Sequence, residues 1–310
     1  ITLSPTSLSF ASLGDTATIT PTVKDANDST IVSPTVTWVS SDTLKATVSS
    51  AGLVTSKADG TTTITATSGS KSATVTATVS QAASSVTLSP TSLSFSSLSD
   101  TATITATVKD ANDSTMAGAT VTWASSDTTV ATVSTAGLVT AKANGTATIT
   151  ATSGSATKTA TATVDQVASS LTVSTSSLSF SSFTDTATIT ATLKDANDST
   201  MAGNIPYIWS TTDTLIATVT QQGSQAGYSD LGLVTAIGNG TATITVSSTG
   251  QSATTTVTVT QAAVSITLSA DSLDVLVSDT ATITATVKDA NDSTIASPTI
   301  TWTTSSSSLA

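Results

Sequence analysis

Thr101-Ala102-Thr103-Ile104-Thr105-Ala106-Thr107-Val108 alternates hydroxyl and apolar residues with a period of two. That period puts one face of the segment in a core and the other in water, the signature of a half-buried β-strand. Outward from it, similar runs stand at Val86 to Phe95, Ala119 to Trp123, Thr129 to Val133, Leu138 to Ala141, Thr146 to Ala151 and Thr157 to Val164, separated by Gly, Asn, Asp and Ser clusters. Helical templates find no stretch to match, and Thr and Val, which lose χ1 freedom in helices, dominate throughout. Seven short strands in about 85 residues, with a single Trp on the third, predict two packed antiparallel sheets.

The strand runs on into Lys109-Asp110-Ala111-Asn112-Asp113-Ser114-Thr115, and this heptad also occupies 24–30, 194–200 and 288–294. The step from Ile1 to Val86 to Leu171 is 85 residues and from Leu171 to Ile266 it is 95, the size of a small autonomous domain. We expect all-β, tandem immunoglobulin-like sandwiches arranged as an elongated rod, with repeats at 1–84, 85–169, 170–264 and 265–310. The fourth holds about half of its expected strands, so the chain reads as a window onto a longer array. Junctions such as 81–85 contain neither Gly nor Pro and are expected to be short and stiff. Trp38, Trp123, Trp209 and Trp302 are the expected core anchors, in preference to exposed platforms for sugar rings.

Composition removes most chemistries. All 20 acidic residues are Asp and all 9 basic residues are Lys, and His, Arg, Glu and Cys are absent. Catalysis would be left with an Asp pair, a Ser-Lys pair or a Thr nucleophile, none with a supporting constellation, and we expect no enzyme. A net charge of -11 without a cationic cluster argues against nucleic acid and against anionic membranes. No apolar run of eighteen residues exists to insert in a bilayer. The lack of Cys fits a reducing compartment or a bacterial or archaeal surface protein without disulfides, and we favour the surface. Ser and Thr number 129, yet the apolar residues are too regularly spaced for a disordered stalk.

Val121-Thr122-Trp123-Ala124-Ser125-Ser126-Asp127, Val130-Ala131-Thr132-Val133, Gly137-Leu138-Val139-Thr140-Ala141 and Asn144-Gly145-Thr146-Ala147-Thr148-Ile149 form four ordered blocks. Together they resemble the bacterial immunoglobulin-like domains of group 2, over the whole chain. The resemblance implies adhesins, surface-layer proteins and phage structural proteins, in which such domains serve as spacers or binding tips. Against its pattern, the fourth repeat has Val275 where Phe95 and Phe180 stand and loses one residue before Asp279, and Pro21 replaces Ala106. Proline there is expected to mark a bulge or a local loss of pairing.

Two carboxylates and an amide oxygen within four residues suit a hard cation. The heptad resembles the Asp-x-Asn-Asp calcium motif of cadherins, and strand parity places the loop at the pole that faces the preceding repeat. The candidate calcium ligands are Asp25, Asn27 and Asp28, then Asp110, Asn112 and Asp113, then Asp195, Asn197 and Asp198; no other cofactor is expected. The alternative is that Asp and Asn supply turn geometry alone. Asn27, Asn112, Asn197 and Asn291 open Asn-Asp-Ser sequons, and Asn144 and Asn239 open Asn-Gly-Thr, six glycosylation candidates in all. Rows of Thr-x-Thr suit an ice lattice or O-linked sugars in principle, and Thr is also the best polar strand former. The expansion at 221–230 of the third repeat would brace a joint, present Tyr228 to a neighbour, or do nothing.

The function expected is a non-enzymatic structural or spacer segment of a long repetitive extracellular protein at the cell surface, in a filament, surface layer or adhesin stalk. The alternatives are a ligand- or carbohydrate-binding adhesin segment and a phage capsid or tail decoration. Expected partners are neighbouring repeats or copies of the same protein, with any cell-surface or carbohydrate ligand bound outside this segment.

Overall fold

A computed structural model describes residues 1–223 and 227–306, in two compact units, Ile1–Asp165 and Gln166–Ala310. Among the described residues there is no helix. The first repeat contains β1 (Thr2–Ser4), β2 (Ser7–Phe10), β3 (Thr16–Thr18), β4 (Thr20–Thr22), β5 (Thr37–Ser40), β6 (Ala46–Val48), β7 (Leu53–Ser56), β8 (Gly60–Ser68) and β9 (Lys71–Val79). One sheet runs β2-β9-β8-β5; facing it are the β3-β7-β6 sheet and the β1-β4 pair. Alternation carries through to burial: Ile64 and Ala66 of β8 and Val75, Ala77 and Val79 of β9 point inward, while Thr74, Thr76 and Thr78 point out.

The run expected to be one first strand is two. Its first part, β1, pairs antiparallel with β4, and its second, β2, pairs parallel with β9 in the opposite sheet. The second repeat repeats the change of sheet, Ser85–Ser89 pairing with Thr105–Lys109 and Ser92–Phe95 with 161–164. Pro5 and Pro90 stand at the crossings, where no ladder N–H is needed. The third repeat makes the same crossing between Ser170–Val173 and Ser177–Phe180 with Thr175 in that place, so the proline accompanies the crossing without being required for it.

Pro21 does not break pairing either. It sits within β4 opposite Leu3, and the interruption lies at Ile19. The second repeat is interrupted identically at Ile104 although Ala106 stands there. The cause is the neighbouring hairpin. A tight turn at 49–52 starts β7 only at Leu53, so β3 pairs with β7 as far as Thr18 and β4 then turns to β1. In the third repeat the longer hairpin starts its return strand at Leu231, opposite Thr190, and Thr186–Lys194 is one unbroken strand. Residues 224–226 of that expansion lie outside the described residues. The rest folds back on its own repeat: Gln221 donates through Nε2 to Ser229 O at 2.7 Å, and Tyr207 N–H donates to Gly227 O at 2.9 Å. Tyr207 is buried beneath it, and burial first, then the charge of Asp230, pushes its phenol above the ordinary value.

The tryptophans are not the innermost residues. The largest fully buried side chains are Ile19, Ile64, Val54, Val75 and Val79 in the first repeat and Ile104, Ile149, Val139 and Val164 in the second. Trp38, Trp123 and Trp209 are half-buried at the edge of these clusters. Each indole lies over a glycine: a Cβ on Gly137 would stand 3.0 Å from Trp123 Cζ2 and 2.3 Å from Ile104 O, and one on Gly52 2.9 Å from Trp38 Cζ2. A large ring covering a glycine seals the open end of the hairpin, and the branched aliphatics fill the interior. Trp302 is 55% exposed, because residues 265–310 contain no counterpart of the hairpin that carries Gly137. In that fourth repeat the strand pair is Ser265–Leu268 with Ala285–Lys288, and Leu276 and Val277 are exposed.

Ile149→Ala is therefore expected to destabilise the second repeat by about 2–5 kcal/mol, the usual cost of an aliphatic cavity. Trp123→Ala should cost less despite removing more atoms. Denaturant unfolding of the two variants orders them, and the reverse order would return the tryptophan to the centre of the core.

Candidate functional site

The recurring heptad forms a loop of one geometry. Asp110 Oδ1 accepts N–H bonds from Asn112 (3.0 Å) and Ser114 (2.9 Å), an Asx turn that the side chain closes on its own backbone. Asp113 takes a left-handed φ of 63°, and its carboxylate pairs with Lys109 at 2.9 Å. Lys109 also bridges to Thr115, as Lys24 does to Thr30, which closes the loop at its base.

What distinguishes Asp110 is its second oxygen. Oδ2 accepts the N–H of Leu13 at 2.9 Å and Nε2 of Gln81 at 2.8 Å, both from the first repeat and its exit segment. Asn112 completes the contact, donating through Nδ2 to Leu13 O at 2.9 Å and to Asp15 Oδ1 at 2.8 Å. Asp15 in turn holds its own turn, its Oδ2 accepting the Ser12 N–H at 3.0 Å. The heptad of the second repeat thus grips both the N–H and the C=O of Leu13, at the tip of the turn between β2 and β3.

The exit segment is tied on both sides. Ser80 N–H donates to Phe10 O and Ala82 N–H to Ala11 O in the first repeat, while Ser84 N–H donates to Lys109 O in the second. Gln81 N–H donates to Asp59 Oδ1 at 2.9 Å, which aims its amide at Asp110. The same joint recurs inside the other unit. Asp289 Oδ2 accepts Phe183 N–H and Gln261 Nε2, each at 2.9 Å, and Asn291 Nδ2 donates to Phe183 O and Asp185 Oδ1, each at 2.8 Å. In the third repeat Asp195 Oδ2 accepts Gln166 Nε2 at 2.8 Å.

Asp110, Asp195 and Asp289 are 2–3% exposed, whereas Asp25 of the first repeat is exposed with the same local turn. Burial pushes the carboxyl of Asp110 up, but the Gln81 amide and the N–H groups of Leu13, Ser114 and Asn112 outweigh it and hold the carboxyl below its ordinary value. Asp289 is held low in the same way, against burial, by Gln261 and the N–H groups of Phe183, Ser293 and Asn291.

The three expected calcium ligands of the second repeat separate in space and role. Asp110 is buried with both oxygens taken by amide donors, Asn112 reaches across the joint, and Asp113 is 81% exposed beside Lys109. Among the described residues no group of three or more acidic side chains is placed to hold a metal. A cation at Asp110 would have to displace N–H donors from the oxygens it needs. Of the sequon asparagines, Asn27, Asn112, Asn144, Asn197, Asn239 and Asn291 are exposed as residues. The side-chain nitrogens of Asn112 and Asn291 are already bonded across a joint, and Asn239 pairs with Gln261. Gln81, Gln166 and Gln261, together with the Leu13 and Phe183 backbone, were not among the expected site residues. Their signal was available: the glutamines recur at the steps of the repeats, two residues past the last strand.

The family model for the bacterial Ig-like domain (group 2) matches residues 1–79 and 82–164. Ice-binding protein 1 of Shewanella frigidimarina is 31% identical over 205 residues, which are 65% of this chain and 23% of that protein, so the chain spans under a quarter of that relative's length. Among solved structures, surface layer protein SbsC, domains 1-6, has 22% identity and a TM-score of 0.33 over 95% of this chain and 44% of its own. Invasin, a bacterial integrin-binding protein, has 20% identity and a TM-score of 0.39 over 86% of this chain and 61% of its own.

Asp110→Ala should lower the stability of unit 1 by about 3 kcal/mol, since it leaves several N–H donors in the joint without an acceptor. Asp25→Ala, which removes the same turn bonds without a joint, should cost under about 1 kcal/mol. Differential calorimetry on the full chain compares them, and equal losses would reduce the aspartate to a turn former. Because the carboxyl of Asp110 is lowered in the folded state, its stabilisation is complete above the ordinary value of 3.8 and is lost as pH falls through the folded value. The melting temperature should therefore fall as pH drops below 3.8, and fall less in Asp110→Ala. Parallel acid profiles for the two proteins would contradict this.

Proposed function

Because the chain belongs to the bacterial Ig-like domain (group 2) family, we propose that it is a non-enzymatic spacer segment of an extracellular cell-surface protein, in a filament, surface layer or adhesin stalk. The observation that carries this reading is the joint. Two repeats share a buried carboxylate whose four amide donors come from the loop itself, the exit segment and the preceding turn, and the arrangement occurs both at Asp110 and at Asp289. A joint with its polar groups satisfied resists bending, because any opening leaves a desolvated carboxylate or N–H without a partner. A protein whose task is to hold other domains at a distance needs that resistance.

The rest of the molecule supports a mechanical role. His, Cys, Glu and Arg are missing from the sequence, and the outward face of β9 carries the hydroxyl groups of Thr74, Thr76 and Thr78. No helix among the described residues is long and apolar enough to cross a membrane.

One observation favours a second reading, ice binding. On the outer face of β8 and β9, Thr61, Thr63 and Thr65 stand opposite Thr78, Thr76 and Thr74, a hydroxyl grid with a spacing of ~4.8 Å across strands and ~6.7 Å along them. A relative is named for binding ice. Arrest of ice growth by the full chain would support this reading, and its absence would leave the threonines as polar strand formers.

For the spacer reading, the full chain is placed between a bacterial surface anchor and a terminal tag, and tag access is measured with antibody-coated beads. Asp110→Ala combined with Asp289→Ala should reduce access, and Thr74→Ala on an exposed face should not. Equal access for the two variants would refute a mechanical role for the joints.

A further inference from the structure

The first repeat has the same heptad as the others, and among the described residues the side chains of that heptad make no hydrogen bond to another repeat. Asp25 Oδ1 accepts the N–H groups of Asn27 (2.8 Å) and Ser29 (3.0 Å), the bonds that Asp110 Oδ1 makes at 3.0 and 2.9 Å. Asp28 has a φ of 63°, as Asp113 does, and pairs with Lys24 at 3.0 Å, as Asp113 pairs with Lys109 at 2.9 Å. The loop is therefore fully formed without a neighbour. Yet Asp25 Oδ2 and the Asn27 side-chain amide, the groups that cross the joint at Asp110 and Asn112, have no hydrogen-bond partner among the described residues, and both residues are exposed.

We propose that Asp25 and Asn27 form a preorganised docking site for one kind of partner, another immunoglobulin-like unit of this make joined in tandem ahead of this repeat. The partner's chemistry follows from the two filled joints. It presents the N–H and C=O of an apolar residue at the tip of a turn, as Leu13 and Phe183 do, and an aspartate two residues later to accept from Asn27, as Asp15 and Asp185 accept from Asn112 and Asn291. It also supplies a glutamine two residues past its last strand, in the place of Gln81 and Gln261, to fill the remaining site on Asp25 Oδ2. Two of the four contacts are to backbone, so the tip residue can vary between Leu and Phe while the aspartate and the glutamine stay fixed. Because the receiving loop needs no rearrangement, docking loses little conformational entropy.

The test prepends a second copy of residues 1–85 to the full chain in the same 85-residue phase and compares Asp25→Ala in the parent and in the extended protein. Docking predicts that the variant lowers the melting temperature of the extended protein by as much as Asp110→Ala does, and that of the parent by far less. An equal, small effect of Asp25→Ala in both proteins would overturn the proposal. So would concentration-dependent association of the parent chain that Asp25→Ala abolishes, since the occupant would then be a separate molecule. The spacer reading stands or falls separately, on the joints at Asp110 and Asp289.

Discussion

The carboxylate of Asp110, closed into the joint between two repeats, is the interaction on which the rest depends. A chain with 20 aspartates and 9 lysines keeps nearly all of its charge in water, and its few buried carboxylates are those of the heptad. Burying an ionised group without partners is prohibitive. Here each oxygen takes two N–H donors, one oxygen from within the loop and the other from outside it. The division matters physically. The inner oxygen fixes the loop whether or not a neighbour is present, as Asp25 demonstrates, and the outer oxygen then selects a neighbour with donors in the right place. Local folding and assembly of the array are handled by separate lone pairs of one side chain.

The joint also explains why the loop sequence is so uniform while other loops vary. The expansion at 221–230 changes hairpin length and accompanies an unbroken strand where Ile19 and Ile104 mark interruptions, but its described residues fold back on Tyr207 and leave the Lys194–Thr200 loop unchanged. Variation is tolerated where it lengthens a ladder within one repeat. In the heptad, Asp, Asn and the left-handed Asp each have a separate duty, so none of these three is spare.

Much of the sandwich was legible because Thr and apolar residues alternate with little noise, which fixes the faces of strands such as β8 and β9. Alternation says nothing of which sheet a strand joins, and so Val86 to Phe95 read as one strand although it serves two sheets. The tryptophans misled for a similar reason. Size suggests the centre of a core, but Ile, Val and Ala fill the space between the two sheets, and the indole settles over Gly52 and Gly137 at the edge. Strand parity did place the heptad at the pole facing the preceding repeat. Chemistry then pointed to a cation, because carboxylates and an amide oxygen look alike to a reader whether they await a metal or N–H groups. The donor that Leu13 offers to Asp110 is backbone, which no residue type announces.

The central claim is that backbone N–H groups of one repeat are capped by carboxylates of the next, and amide hydrogen exchange reads this directly. Leu13 and Phe183 lie at turn tips, and their N–H groups donate to Asp110 and Asp289 across the joints. In the intact chain both amides should be protected to the level of the neighbouring strands, and Asp110→Ala should release Leu13 while leaving Phe183 protected. Exchange of Leu13 and Phe183 in the intact chain at the rate of an open turn would contradict the account.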